Sequence, residues 1–221
     1  MALIEERGGY KIVQLSDDHL DESTNVLSTA FANRDPIASS GGWTPERCRP
    51  FCEYCIKIGI REKISYCIIE KQTNHIVHVL VSFDYTTPLE FEWTGIEITE
   101  YQQTCGLVIA GLGENFRKEY PDVKPKEVLH LWMAGTLDGY EGRGFFIWSS
   151  RVLVEQAKKQ GWNKIVVEAT HEGTHHVLVR KLDFIVDTTI VPAQKYEILE
   201  KMGAAKCTFL IGNLSTPKEE G

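Results

Sequence analysis

Residues 128–161 set an apolar run, a glycine-rich turn and an amphipathic run in direct succession. The turn reads Gly139-Tyr140-Glu141-Gly142-Arg143-Gly144. Glycines let a backbone approach a ligand closely. Free N–H groups at the start of a following helix, with its dipole, make a cradle for a phosphate, and Arg143 could add a charge. The pattern is short, so its strand-to-helix setting carries as much of the reading as its letters. A second constellation is Cys48, Cys52 and Cys55. Three thiolates at that spacing could hold three irons of a four-iron cluster. The same positions are i, i+4 and i+7 on one helix face, where free cysteine serves as a small core residue. Thr44-Pro45-Glu46 just ahead is a helix start, with an N-cap, a proline at the first position and an acid in the first turn, and this favours the helix reading.

These residues need elements to hold them. Residues 10–14 form a short β-prone run, and residues 17–32 have helical spacing behind Ser16. Residues 33–36 break that helix, and residues 39–42 read as a flexible loop. A second helix is predicted over 44–59, with a possible bend at Pro50. Residues 64–69 and 76–83 read as a hairpin around the turn residues between them. Residues 88–97 look irregular. Residues 98–120 have helical periodicity interrupted by Gly106, Gly111 and Gly113. Residues 127–137 are apolar on both faces, as in a buried central strand. A helix over 143–160, a strand over 162–169, a helix over 170–182 and strands over 184–191 and 207–214 complete the pattern. This order predicts an α/β (α+β) fold with a mixed, mostly antiparallel sheet and helices on both faces. One domain is expected over 1–214, with a polar, disordered tail over 215–221.

Composition bounds the function. The 221 residues are 43% hydrophobic and 25% charged, the make-up of an ordinary globule. A net charge of −7 argues against general nucleic-acid binding and is compatible with a cationic substrate. No run is long and apolar enough to span a bilayer. The N-terminal residues lack a signal-peptide pattern, and six cysteines fall short of disulfide-scaffold density. A cytoplasmic, metal-free chain without membrane or nucleic-acid partners is expected, as monomer or homodimer.

The element order, with the glycine turn after the central strand, resembles the GNAT superfamily of acyl-CoA N-acyltransferases. Its signature is Gln/Arg-x-x-Gly-x-Gly/Ala. The turn fits at Gly142 and Gly144 and departs at Gly139. Lys181-Leu182-Asp183-Phe184 is similar to the family's Lys-Leu-Gly-Phe, with Asp183 for glycine. Asn33-Arg34-Asp35-Pro36 looks like the Asp-Glu-Pro segment of insect arylalkylamine N-acetyltransferases. The cysteine spacing also resembles the radical-SAM cluster motif, but the repeated βα units of that family are missing here.

The GNAT resemblance implies acetyl-CoA as co-substrate. Its pyrophosphate would lie on the turn from Gly139 through Tyr140, Glu141, Gly142, Arg143 and Gly144 to Phe145. Its pantetheine would run along Ala134, Gly135, Thr136 and Leu137. Glu141 is discordant beside a pyrophosphate and is expected to turn outward. Acyl transfer to an amine needs a base, an oxyanion donor and a route for the thiolate's proton. A backbone N–H at Ala134 or Gly135 suits the oxyanion. Asp35 is the first candidate base, His130 the second and Glu168 the third. The family's usual acid, a tyrosine, falls at Val179 here and is absent; His175 or His176 lies one helical turn earlier. Trp43 and Trp93, in irregular segments, are the candidate walls of an acceptor site. The expected function is N-acetyl transfer to a small amine. An acyl-CoA-binding protein of the same fold without efficient catalysis, or a peptide or protein N-acetyltransferase, remains open.

Overall fold

The computed structural model describes residues 2–214. The tail expected over 215–221 lies outside the described residues. The strands are β1 (Leu3–Arg7), β2 (Tyr10–Gln14), β3 (Tyr66–Glu70), β4 (Ile76–Asp84), β5 (Val128–Thr136), β6 (Lys164–Ala169), β7 (Ile185–Ile190) and β8 (Cys207–Asn213). The helices are α1 (Leu20–Arg34), α2 (Pro36–Ser40), α3 (Pro45–Glu62), α4 (Glu100–Leu112), α5 (Glu114–Glu119), α6 (Phe145–Lys159), α7 (Glu172–Lys181) and α8 (Pro192–Lys195).

The strands form one sheet in the order β1-β2-β3-β4-β5-β6-β8-β7. The β5–β6 pair is parallel and every other neighbouring pair is antiparallel. One face is covered by α6 and α7, through Trp148, Val152, Leu153 and Leu178. The other is covered by α1 and α3, through Leu27, Cys52, Cys55 and Ile56. A third cluster packs Val108 of α4 and Phe116 of α5 against Val166 and Phe209. The predicted mixed, mostly antiparallel sheet with helices on both faces is the architecture observed. No helix among the described residues is long and apolar enough to cross a membrane.

Several local expectations are corrected. Residues 3–7 form an edge strand that pairs with β2 across a Gly8-Gly9 turn, with Gly8 at φ +57°. Their exposed run, Leu-Ile-Glu-Glu-Arg, lacks the alternation that marks a half-buried strand. The first half of the expected loop at 39–42 is instead the end of α2, whose N-cap is Asp35 and whose first residue is Pro36, while Gly41 and Gly42 form a turn. The α3 helix continues through Pro50 to Glu62. The long excursion divides at Gly113 into α4 and α5, where an added Cβ would meet the Arg117 Nη1 at 2.9 Å.

Candidate functional site

Two irregularities of β5 open the sheet. Its pairing with β6 runs only from Val128↔Lys164 to His130↔Val166. Beyond that the strands part, and the edge of β5 facing β6 is free. On the β4 side the register shifts between Val81↔Met133 and Ser82↔Leu131, which leaves Trp132 as the extra residue of a bulge. Leu129 and Leu131 therefore pack on the α6 side, whereas Trp132 and Met133 both pack on the α1–α3 side. A bulge re-aims side chains in this way.

Along the open edge runs a cleft of about 560 Å³. Ala134, Gly135 and Thr136 line it, followed by Tyr140, Glu141, Gly142, Arg143, Gly144 and Phe145. Leu137 and Gly139 do not line it; the Leu137 N–H bonds back to Val77. Gly139, Gly142 and Gly144 take φ of +83°, +72° and +77°, a region that favours glycine. Gly144 is the N-cap of α6. Among the described residues the N–H groups of Gly142, Arg143 and Gly144 have no acceptor within the protein.

Glu141 does not turn away, contrary to expectation. Its Oε2 accepts the Gly139 N–H at 2.8 Å, and its Oε1 pairs with the Arg34 guanidinium at 2.7 Å. Arg34 also donates to Asp138 and to the Thr136 carbonyl. Arg143 donates to Tyr10 at 2.8 Å and to the Gly139 carbonyl at 3.1 Å, and lies over the Tyr140 ring.

A second cavity of about 640 Å³ lies on the α3–α4 side. Trp43, Phe51, Phe83, Tyr85, Trp93 and Trp132 line it. Trp93 stacks on Phe51 with ring centres 5.2 Å apart and touches Trp43 at 5.3 Å. The residues that wall both the cleft and this cavity are Phe31, Asp35, Trp132, Met133, Glu168 and Thr170.

Asp35 stands at this junction because it caps α2. Its Oδ1 accepts the Ile37 and Ala38 N–H groups at 3.0 and 2.9 Å, and its Oδ2 accepts the Thr170 hydroxyl. Burial pushes its carboxyl above the usual aspartate value, against the Thr170, Ala38 and Ile37 hydrogen bonds, which favour the ionised form. His130 and Glu168 pair across the neighbouring strands, His130 Nε2 to Glu168 Oε2 at 2.5 Å. Their side chains are only 8% and 11% exposed, yet both face the aromatic cavity. All three candidate bases thus border one cavity.

Cys48, Cys52 and Cys55 are buried on α3. Burial pushes the Cys48 thiol up to about 11 and Cys55 up to about 12, so both stay protonated at neutral pH. The Cys55 sulfur accepts the Trp132 indole N–H at 3.2 Å. Neither histidine offered in place of the tyrosine lines the cleft: His175 Nδ1 bonds to Thr208 at 3.1 Å, and His176 lies outside the lining. Asp183 takes φ +58°, the left-handed conformation that glycine would supply in the family pattern.

Sequence reasoning missed Thr170, Arg34 and His171, which all line the cleft. The only local signal among them is His171, whose Nδ1 caps α7 by accepting the Gly173 N–H at 3.0 Å. Thr170 and Arg34 become visible only through partners more than 100 residues away.

No protein-family model and no curated protein sequence matches this chain. Solved structures do match it. It is similar to the C-terminal condensation domain of Ebony in complex with beta-alanyl-dopamine, at 13% identity over 92% of this chain and 98% of that one, with a TM-score of 0.76. It is similar to a putative arylalkylamine N-acetyltransferase 7 from the yellow fever mosquito Aedes aegypti, at 15% identity over 93% and 88%, with a TM-score of 0.75. It is also similar to arylalkylamine N-acetyltransferase 2 from Aedes aegypti, at 16% identity over 94% and 100%, with a TM-score of 0.74. At such identities the likeness is one of fold alone, and that fold is the GNAT fold.

Proposed function

We propose that this chain is an N-acetyltransferase that moves an acetyl group from acetyl-CoA to a small amine by direct attack in a ternary complex. The observation that carries this reading is Asp35, a half-buried carboxylate where the strand-edge cleft and the aromatic cavity share walls. The cleft takes the thioester: its pantetheine pairs along Ala134–Thr136, and a phosphate rests on the N–H groups of Gly142, Arg143 and Gly144. The aromatic cavity takes the amine, with Trp43 and Trp93 in its wall.

In this reading Asp35 removes the proton from the bound ammonium. The freed nitrogen attacks the thioester carbonyl, and a C–N bond forms. A β5 backbone N–H at Ala134 or Gly135 holds the oxyanion. The C–S bond then breaks and the thiolate leaves; its low basicity makes a dedicated acid dispensable. The His130–Glu168 pair, on the same cavity, is the alternative base through a water. A cavity of about 640 Å³ bordered by Leu89 and Trp93 favours a small amine over a peptide chain.

A specific observation favours a second reading, an acyl-CoA-binding protein of the same fold. Val179 stands where the family carries its acid, and His175 is engaged with Thr208. Two measurements decide. Acetyl-CoA at about 100 times its Kd adds about 2.7 kcal/mol to stability, read as a thermal shift; no shift with acetyl-CoA or CoA sinks both readings. A thiol-release screen across arylalkyl- and alkylamines then separates them: turnover identifies the transferase, and silence at good CoA affinity identifies the binder.

A further inference from the structure

The charges around the glycine turn do not suit a heavily charged donor. Among the described residues, Arg34 and Arg143 are the arginines that line the cleft there, and no lysine does. Arg34 is spanned by Asp138 and Glu141. Glu70 accepts the Tyr140 hydroxyl at 3.0 Å and is close enough to Arg143 to feel its charge. Two guanidinium groups are thus set against three carboxylates. Glu141 goes further than neutralising a charge, because its Oε2 already occupies the Gly139 N–H. A carboxylate of the chain sits on the turn as an internal anion.

CoA ends in a pyrophosphate and a ribose phosphate, the latter alone worth about −1.5 to −2 charges at neutral pH. A phosphopantetheine thioester ends in a single phosphate. The N–H groups of Gly142, Arg143 and Gly144 remain for such a group, ahead of the positive end of α6.

We infer that this turn selects acyl donors by their pantetheine and first phosphate, with Glu141 and Asp138 cancelling the advantage of the CoA nucleotide, so that 4′-phosphopantetheine thioesters serve as donors alongside acetyl-CoA. The inference rests on the acyltransferase reading and deepens it. Two sources share this chemistry: a free phosphopantetheine thioester, and one tethered through a phosphodiester to a carrier protein.

Titration calorimetry on the full chain tests it with four probes: acetyl-CoA, acetyl-dephospho-CoA, S-acetyl-4′-phosphopantetheine and an S-acetyl-phosphopantetheinyl carrier protein. The expected result is that acetyl-CoA binds less than about 10-fold more tightly than S-acetyl-phosphopantetheine. Glu141→Gln is expected to raise the preference for acetyl-CoA about 5-fold by removing one like charge, and Asp138→Asn to move it the same way. Tighter binding of the carrier than of the free thioester assigns the tethered source; equal or weaker binding assigns the free one. A CoA preference above that limit, or an unchanged ratio in both folded variants, overturns the inference and leaves the acyltransferase reading intact. If no probe binds, both fall together.

Discussion

Asp35 carries two competing demands. Burial raises its pKa from 3.8, while Thr170, Ala38 and Ile37 hold it down by hydrogen bonding to the ionised form. A raised pKa makes a carboxylate a better match for an ammonium proton. Asp35→Asn keeps an oxygen to cap α2 but removes the base, so kcat/KM should fall by about 10²–10⁴-fold. The check is steady-state kinetics together with loss of the acid limb of the pH–rate profile. An unchanged profile would hand the role to His130 and Glu168. Thr170→Val deletes a contact that lowers the Asp35 pKa, so the acid limb should move to higher pH. A limb that stays put rules out Thr170 as a positioning residue. The sign for stability follows from linkage. A carboxyl whose folded pKa is raised stabilises the fold fully below 3.8, and that contribution is lost as pH climbs through the folded value. The stability of the native chain minus that of Asp35→Asn should therefore decline across that interval in urea melts at stepped pH. A flat difference would mean that the carboxyl is not perturbed.

Among the elements, β5 does most to build the site. It parts from β6 after His130, bulges at Trp132 and meets α1 at Gly135. An added Cβ at Gly135 would lie 2.9 Å from the Ala30 Cβ and 3.1 Å from Leu27 Cδ1. The methyls of α1 thus demand glycine at this point on the cleft wall. Gly135→Ala should cost about 1–3 kcal/mol by overpacking, measured by chemical denaturation; a neutral result would mean that α1 shifts freely. The same close approach keeps Arg34, at the end of α1, over the turn at the end of β5. The α2 helix shows why a short element escapes sequence reading. Asp35-Pro36 is a fair N-cap and first position, but five residues give no periodicity, and Gly41-Gly42 read as loop.

For the whole molecule, the cleft and the cavity share walls rather than lying apart. Both substrates would have to be present together for direct transfer at Asp35. Initial-velocity plots should therefore intersect; parallel lines would point instead to an acyl-enzyme and reject the ternary complex. The aromatic cavity is assembled from α3, β4, the 89–93 segment and β5, whose aromatic residues meet only after the sheet has formed. By itself, the sequence determined what is local. It fixed the strand–turn–helix at 128–161, because glycine conformation and helix starts depend on neighbours in the chain. It fixed the thiol face of α3, because i, i+4 and i+7 share one side of any helix, and it fixed the sequence of elements that makes the GNAT sheet recognisable. Only the tertiary structure decided the contacts across long separations. Thr170 reaches Asp35 over 135 positions and Glu141 reaches Arg34 over 107. Those pairings depend on where β5 and β6 diverge and on how closely α1 packs, and sheet register and side-chain volume set both. For that reason Asp35 was legible as a candidate base only through its resemblance to a family segment, and Glu141 only as a discordant charge, until the fold brought their partners to them.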